Sequence, residues 1–203
     1  MRILRKDNIE EIAKVLKMGE LVCSPTDTLF GILGNALNEE TIKKLYLIKK
    51  RDKNKPLIVL FDSVDCMEEY GIVVPEKFKE GLKKLYPASV TTILPLDKKS
   101  PFREVFERND IAVRVPDDPF LRELIKKTFP LFAPSANPQG MEPAKSCEEC
   151  RRYFENLINY CIEGKSLELP STIVDLTGNF PRLVREGVVD FSKVVEVLSG
   201  KKT

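Results

Sequence analysis

The sequence predicts an α/β fold, a single domain built on a twisted sheet with both parallel and antiparallel strands. Three observations support this prediction. Helical and extended hydrophobic patterns alternate along the chain, as they do in α/β proteins. Several extended segments follow one another without an intervening helix, which favours a mixed sheet over a purely parallel one. No repeat or linker-like change in composition interrupts the 203 residues, a length that one domain can contain.

Amphipathic spacing and capping residues predict the helices. The first begins after a cap at Asp7 or Asn8 and ends before Gly19, and Asn38 followed by two glutamates caps the second. Four further helices complete the prediction: one that starts at Pro75, one over 117–127, one from Ser146 to about Tyr160, and one from Asp190 onward.

Short apolar or β-branched runs predict the strands that lie between these helices. The predicted strands are Leu21–Cys23, Leu57–Phe61, Val90–Leu94, Ile111–Val115, Leu131–Ala133, Ile173–Leu176 and Leu183–Arg185.

Composition excludes several classes of protein and of chemistry. The net charge of +2 gives the whole molecule no strong attraction for nucleic acid or anionic lipid. No apolar run approaches the roughly 20 residues that span a bilayer, and the N-terminus is too charged for a secretory signal. We therefore expect a cytoplasmic protein without a membrane partner. The chain contains no histidine, which excludes Ser-His-Asp and Cys-His nucleophiles.

The five cysteines fit a reducing compartment better than a disulfide framework. Cys147 and Cys150 form a C-x-x-C, which by itself suggests metal or redox chemistry. However, Ser146 and Glu149 have the spacing of a capping box, so both cysteines should lie in the first turn of a helix. We expect no zinc here, because closed zinc sites need four Cys or His ligands.

Four polar stretches adjoin predicted strands, where ligand sites tend to lie. In the stretch Ile48–Leu57, the cations Lys49, Arg51 and Lys55 suit a polyphosphate, although a solvated helix end would explain part of the charge. In the stretch Ala133–Gly140, Ser135 and Asn137 either form a plain turn or present a hydroxyl and an amide to an anion. No P-loop or dinucleotide-binding glycine motif is present. The stretches are Ser24–Gly31 (SPTDTLFG), Ile48–Leu57 (IKKRDKNKPL), Ala133–Gly140 (APSANPQG) and Pro170–Gly178 (PSTIVDLTG), the last followed by Val184–Gly187 (VREG).

Taken together and in this order, these motifs resemble those of the YrdC-like family. The resemblance covers roughly residues 5–195 and includes the K-x-R of Lys49 to Arg51 and the S-x-N of Ser135 to Asn137. The principal activity of that family is threonylcarbamoyl-AMP synthesis. The family fold is a twisted α/β sheet with a large, concave, positively lined cavity, and the C-terminal extension domain of longer relatives is expected to be absent here.

The resemblance implies a reaction and its participants. Such enzymes combine L-threonine, bicarbonate and ATP, release pyrophosphate, and leave threonylcarbamoyl-adenylate. Partner proteins then transfer the threonylcarbamoyl group to an adenosine beside the anticodon of certain tRNAs. The implied cofactor is Mg²⁺ carried with ATP rather than a metal held by protein side chains. At most a weak contact with tRNA itself is expected.

The resemblance also assigns residues by their motif positions. The implied catalytic residues are Lys49 and Arg51. The residues expected to bind ATP are Arg51, Lys55, Asp110, Ser135, Asn137, Pro143 and Arg185. The residues expected to bind threonine are Thr28, Leu60, Arg114, Ala133 and Ser171.

The sequence departs from the family pattern at three places. Leu60 stands where the family often has histidine, and the usual P-G-P-[VL]-T is replaced by P-A-S-V-T at 87–91. The usual G-L-G of the first loop becomes Gly31-Ile32-Leu33.

Two other classes share the fold. One is a paralogue that binds structured RNA without being a synthetase, and the other is a carbamoyl-adenylate domain of hydrogenase-maturation proteins. The intact K-x-R and S-x-N argue against the first, and the absence of zinc-finger-like segments argues against the second.

Overall fold

The computed structural model describes residues 1–50, 52 and 56–200. Its described residues form ten strands and eight α-helices, with a short 3-10 helix at Lys6–Asn8. The strands are β1 (Arg2–Leu4), β2 (Val22–Ser24), β3 (Gly31–Asn35), β4 (Ile58–Leu60), β5 (Val90–Pro95), β6 (Asp110–Arg114), β7 (Leu131–Phe132), β8 (Tyr160–Ile162), β9 (Thr172–Asp175) and β10 (Arg182–Arg185). The helices are α1 (Ile9–Lys17), α2 (Glu39–Lys49), α3 (Val64–Glu69), α4 (Glu76–Leu85), α5 (Pro101–Phe106), α6 (Pro119–Lys127), α7 (Cys147–Phe154) and α8 (Phe191–Ser199).

The strands form one mixed sheet in the order β1-β8-β2-β3-β7-β4-β6-β5-β9-β10. Four neighbouring pairs are parallel: β1 with β8, β8 with β2, β4 with β6, and β5 with β9. The remaining five pairs are antiparallel. The mixed sheet predicted from the sequence is therefore confirmed.

Alternation along the strands divides the core between the two faces of the sheet. Val59 packs into the larger core, with apolar residues of α2, α3, α4, α5, α7 and α8. Its neighbour Leu60 packs into the smaller core, with residues of α1 and α6. Because side chains alternate with a period of two, β2, β3, β4 and β7 each contribute to both cores. The same alternation decides which side chains of each strand point to the face that carries the site described below.

Most elements begin where local sequence signals predict. Asn38 caps α2 by accepting a hydrogen bond from the Thr41 amide at 3.0 Å, and Ser146 caps α7 through the Glu149 amide at 3.2 Å. Asp118 and Asp190 cap α6 and α8 in the same way. All seven predicted strands are present, with ends that shift by one or two residues.

The predicted helix from Ser146 to about Tyr160 is wrong in its second half. The helix ends at Phe154, and Asn156 has a left-handed φ of 64°, which an α-helix does not accommodate. The chain then forms β8, a short strand between β1 and β2. This strand pairs with two strands that are far away in sequence, which local patterns could not reveal.

The structure also corrects the expectation that the cysteines are reduced. Cys147 at the start of α7 and Cys161 in β8 form a disulfide, with their Cα atoms 5.8 Å apart. Cys23, Cys66 and Cys150 are free. The disulfide is possible because α7 packs against β8, the strand that carries Cys161.

Within the described part of the chain, none of the helices is both long and apolar enough to traverse a bilayer.

Candidate functional site

A cavity of about 290 Å³ lies on the face of the sheet that α1 and α6 partly cover. Its floor is apolar and is formed by one residue from each of β4, β5, β6 and β9. These residues are Ile58, Ile93, Ala112 and Ile173. Loops after β2, β7 and β8 and the end of β10 supply its walls. The lining residues are Thr28, Leu29, Pro56, Ile58, Ile93, Ala112, Arg114, Ala133, Pro134, Ser135, Pro170, Ser171, Ile173, Val184 and Arg185.

The S-P-T-D-T stretch forms one wall of this main cavity. Its turn is fixed by Thr26, whose hydroxyl donates to the Leu29 carbonyl at 2.7 Å and accepts from the Thr28 amide at 3.1 Å. The hydroxyls of Thr26 and Thr28 lie 3.1 Å apart. These local bonds hold the Thr28 side chain at the edge of the main cavity, which explains why two threonines flank the aspartate here.

Arg114 ends β6 and brings a buried cation to the main cavity. Only 2% of the residue is exposed, and its Nη2 lies 3.2 Å from Oδ1 of Asp27. Burial lowers the pKa of Arg114, and the Asp27 carboxylate partly opposes that change. Arg114 Nε is a buried donor with no hydrogen-bond partner among the described residues. Oδ1 of Asp27 is likewise buried without a hydrogen-bond partner among the described residues, so the two groups meet as an ion pair rather than through a hydrogen bond.

Arg185 on β10 forms the opposite wall, together with Ser171. Its Nη2 and Nε donate to the Ser171 carbonyl at 2.9 and 3.2 Å, and the Ser171 hydroxyl lies 2.8 Å from that of Thr91. Burial, and then the like charge of Arg114, lower the pKa of Arg185. Two guanidinium groups thus share one partly desolvated space, which favours a bound anion.

The loop after β7 brings Ser135 to the main cavity and is anchored by Lys49. The Lys49 ammonium donates to the carbonyls of Ser135 and Asn137, the latter at 2.5 Å. Ser135 Oγ donates to Oδ1 of Asn137 at 2.6 Å, and Nδ2 of Asn137 donates to the Met141 carbonyl at 2.5 Å. The K-x-R and S-x-N motifs therefore meet in space, through a buried lysine.

Six of the residues assigned from the sequence line the main cavity together. They come from five separate segments of the chain, which the fold brings to one place. These residues are Thr28, Arg114, Ala133, Ser135, Ser171 and Arg185.

Other assigned residues lie outside the lining of the main cavity. Leu60 is fully buried beside Arg114 in the β4–β6 register, in the core under α6. Asp110 accepts two hydrogen bonds from Arg108, at 2.8 and 2.9 Å, and borders a separate small hollow. Pro143 lines another hollow of about 100 Å³, and Asn137 is occupied within its own loop.

The position expected for Lys49 is wrong, and two other assigned cations lie outside the described part of the chain. Lys49 was expected in the turn before β4, but it is the last residue of α2 and only 2% exposed. Its hydrogen bonds hold a loop, and its catalytic role stays a prediction. Arg51 and Lys55 lie outside the described residues.

Sequence reasoning quoted Asp27 as part of a motif but gave it no partner, and it did not single out Thr91. The pairing of Asp27 with Arg114 joins the loop after β2 to the end of β6, so no local pattern could reveal it. Thr91 lies in β5 and reaches Ser171 because β5 pairs with β9. The one available signal was an aspartate shortly after the end of a predicted strand, since a carboxylate that becomes buried there needs a partner.

The donor set of the main cavity suits organic anions better than a protein-held metal. In the described residues, no group of three or more His, Cys, Asp or Glu side chains is placed to hold a metal ion. Hydroxyl groups and two guanidinium groups surround an apolar floor. This arrangement can bind a carboxylate or phosphate and pack a small aliphatic group beside it.

Comparison with known proteins identifies the family of this chain. The family model of Sua5, YciO and YrdC proteins, described as Telomere recombination, matches residues 14–187. A Methanocaldococcus jannaschii protein named as a candidate threonylcarbamoyl-AMP synthase is 34% identical over 192 residues, which are 94% of this chain and 90% of that protein. A Bacillus subtilis protein named threonylcarbamoyl-AMP synthase is 31% identical over 195 residues, 94% of this chain and 56% of that protein.

Solved structures show the same fold. A Pyrococcus abyssi Sua5 structure, complexed with L-threonine, has a TM-score of 0.88 at 28% identity, over 98% of this chain and 61% of that chain. Escherichia coli YciO has a TM-score of 0.83 at 22% identity, over 96% and 98% of the two chains, and so shares the fold. This chain spans little more than half the length of the Bacillus and Pyrococcus relatives. With most of its length matched by the family model, the chain belongs to the Sua5, YciO and YrdC family.

Proposed function

We propose that this protein makes L-threonylcarbamoyl-AMP from L-threonine, bicarbonate and ATP, with release of pyrophosphate. The observation that carries the proposal is the convergence of Thr28, Arg114, Ser171 and Arg185 on one cavity with an apolar floor. Relatives at 31% and 29% identity bear the name threonylcarbamoyl-AMP synthase, and the Pyrococcus structure was solved with L-threonine.

Threonine would occupy the part of the main cavity beside Arg114. Its carboxylate can accept from the guanidinium of Arg114, which lines this part of the cavity. Thr28 and Ser171 offer hydroxyls for its polar groups, while Ile58 and Ala112 offer apolar contact for its methyl group. Each part of a small hydroxylated amino acid thus has a chemically matched neighbour.

ATP would enter from the side of Ser135 and Arg185. At about 290 Å³ the main cavity is at the lower limit for ligand sites, so it should hold threonine and the reacting phosphate rather than a whole nucleotide. Asp110, Asn137 and Pro143 would act at the periphery of the nucleotide, and Arg51 and Lys55 remain proposed contacts. Mg²⁺ would arrive on the phosphates of ATP, which supply the oxygen ligands it prefers.

The chemistry needs no protein nucleophile. Carbon dioxide from bicarbonate forms a carbamate on the threonine amine, and a carbamate oxygen attacks the α-phosphorus while pyrophosphate leaves. Negative charge grows on the phosphoryl and pyrophosphate oxygens. Arg185 and the proposed cations at Lys49, Arg51 and Lys55 would stabilise this charge, directly or by fixing the loop that carries Ser135.

The product is a labile mixed anhydride, so a second protein must consume it. We propose that transfer proteins in the cytoplasm pass the threonylcarbamoyl group to an adenosine beside the anticodon of tRNA. The modest net charge of +2 fits a weak contact with tRNA rather than a strong one.

The direct test is pyrophosphate release from ATP, measured with threonine and bicarbonate each omitted in turn. We expect release only when both are present, and the nucleotide product should carry the mass of threonylcarbamoyl-AMP. Pyrophosphate release at the same rate with and without threonine would refute the proposal. So would an absence of threonine binding together with tight, steeply salt-dependent binding of structured RNA.

A further inference from the structure

We propose that Asp27 is a positioning residue for threonine: it holds the Arg114 guanidinium in place at the main cavity, where the guanidinium meets the bound carboxylate. This inference rests on the proposed function, because it concerns the threonine part of the same cavity. It gives a role to the aspartate of the S-P-T-D-T motif, which does not line the main cavity itself.

The Asp27 carboxylate is held rigidly from the side away from Arg114. Its Oδ2 accepts from the Ser89 hydroxyl at 3.1 Å and from the Asp117 amide at 3.2 Å. Ser89 also donates to the Asp27 carbonyl at 2.9 Å, so its one hydroxyl is shared between the backbone and the side chain of Asp27. The other oxygen, Oδ1, is thereby directed to Nη2 of Arg114, 3.2 Å away.

Ser89 is also one of the departures from the family pattern noted above. It occupies the second proline position of the P-G-P-[VL]-T motif, and proline has no hydroxyl to donate. The departure therefore supplies a hydrogen bond to Asp27 that the usual motif lacks. This contact gives the altered P-A-S-V-T segment a specific connection to the site.

The ion pair with Asp27 holds the Arg114 guanidinium in a buried place. The Asp27 and Arg114 side chains are only 2% and 3% exposed, so the pair cannot exchange its partners for water. Oδ1 of Asp27 lies 3.2 Å from Nη2 as an ion pair, and neither Oδ1 nor the buried Nε has a hydrogen-bond partner among the described residues. Because the guanidinium is planar, fixing one nitrogen fixes the direction of the others. The guanidinium is thereby held at a constant angle to the main cavity that Arg114 lines.

Asp27 must act through Arg114 rather than on the substrate. It borders a different hollow, of about 420 Å³, which is also lined by Thr26, Ser89, Asp117 and Lys165. The Asp27–Arg114 pair thus separates that hollow from the main cavity. A carboxylate in this position cannot contact a ligand held on the far side of the guanidinium.

Two roles for Asp27 predict opposite effects of its neutralisation. If Asp27 only competes with the substrate for the charge of Arg114, then Asp27→Asn should bind threonine more tightly. If Asp27 positions the guanidinium, the same change should weaken threonine binding, because a buried arginine without its counter-ion turns away from its place. Losing a hydrogen bond between charged groups weakens binding by roughly 10- to 100-fold.

The experiment is calorimetry of L-threonine binding, with a nonhydrolysable ATP analogue present at saturation. We expect Asp27→Asn to weaken threonine binding roughly 10- to 100-fold, with the affinity for the ATP analogue unchanged within about twofold. Asp117→Asn is the matched control, since it removes the same charge beside Asp27 but keeps the backbone amide. Its side chain is 68% exposed, and we expect no change in either affinity.

Ser89→Ala keeps the proposal testable if Asp27→Asn does not fold. It removes the hydroxyl that contacts both the carbonyl and Oδ2 of Asp27 without changing the charge of the pair, and we expect threonine binding alone to weaken roughly 3- to 10-fold. Unchanged or tighter threonine binding in a folded Asp27→Asn or Ser89→Ala protein would overturn the positioning role and leave the proposed function intact. Failure of the unmodified protein to bind threonine at all would instead refute the proposed function.

Discussion

Two arginines face each other across the main cavity, and neither is fully neutralised by the protein. Arg114 has Asp27 as a buried partner, whereas Arg185 donates to the carbonyl of Ser171, which carries no net charge. Burial lowers the pKa of both guanidinium groups, and in Arg185 the like charge of Arg114 adds to that effect. An anion bound between them relieves both costs at once, and its binding should strengthen as each arginine is desolvated.

Replacing Arg185 by alanine should therefore impair chemistry much more than folding. We expect pyrophosphate release to fall roughly 100- to 1,000-fold, as when one transition-state donor is removed. Arg182→Ala is a control on the same strand, because Arg182 has a side chain that is 76% exposed and points to Asp175. Its activity should stay within about twofold of the unmodified protein. Equal losses in the two variants, measured under saturating substrates, would contradict a specific role for Arg185.

Lys49 poses a different question, because its ammonium is bound to the carbonyls of Ser135 and Asn137 in a buried position. We expect Lys49→Met to lower the free energy of unfolding by about 2–4 kcal/mol, since it leaves charge-assisted hydrogen bonds unmade. Lys50→Met changes the same side chain at the adjacent exposed position and should have little effect. Urea denaturation of both variants measures the difference. Lost activity in a Lys49→Met protein of undiminished stability would instead support the direct catalytic role implied by the resemblance.

At the level of single residues, the sequence predicts which types of side chain meet but not all of their contacts. Thr28, Ser171 and Arg185 were assigned through motifs, and all three line the main cavity. The burial of Lys49 and the pairing of Asp27 could not be predicted, because both depend on how distant loops pack. Leu60 shows the same limit: its strand was predicted, but α6 covers its side chain.

Among the secondary-structure elements, the contact between the V-R-E-G segment and the loop before β9 determines the shape of one cavity wall. The amide of Val188 donates to the Pro170 carbonyl at 2.9 Å, and the amide of Gly187 donates to Thr172 Oγ1 at 3.1 Å. A Cβ atom on Gly187 would lie under 3.0 Å from both the Pro170 oxygen and the Ser171 carbonyl carbon, closer than real Cβ atoms approach. Only glycine permits this close approach.

Gly187→Ala should push the two segments apart and thereby displace both Ser171 and Arg185 from their positions in the cavity wall. We expect a loss of about 1–3 kcal/mol in the free energy of unfolding, typical of overpacking, and a weaker affinity for threonine. Gly178→Ala is the matched control, because a methyl group added there would meet no atom of the described residues within 4 Å. Calorimetry and denaturation of both variants provide the test. Normal threonine affinity in Gly187→Ala would show that this contact does not shape the site.

The elements that could be predicted are those with strong local signals. Capped amphipathic helices such as α2 and α6 were found from their N-caps and periodicity. Strands β1, β3 and β8 were missed; β1 and β8 have three residues each and pair with strands far along the chain. In β3 the two glycines of GILGN resemble a loop, yet Gly34 is required where the Phe132 ring packs against the strand.

For the whole molecule, ligand binding should appear as added stability. At about 100 times its Kd, a ligand contributes about 2.7 kcal/mol, which corresponds to a rise in Tm of roughly 5–10 °C for a chain of this length. Because threonine and ATP would share one cavity, we expect their combined shift to exceed the sum of the separate shifts. Differential scanning calorimetry with each ligand alone and with both measures this. Strictly additive shifts would argue against cooperative binding.

The distribution of the cavity residues along the chain has a consequence for folding. The lining runs from Thr28, near the N-terminus, to Arg185, close to the C-terminus, so no contiguous part of the chain contains the site. Contacts between such distant segments tend to form late, after the local structure that they join. A ligand that needs all of them stabilises the native state but not the transition state. Threonine and ATP should therefore slow unfolding while leaving the refolding rate unchanged.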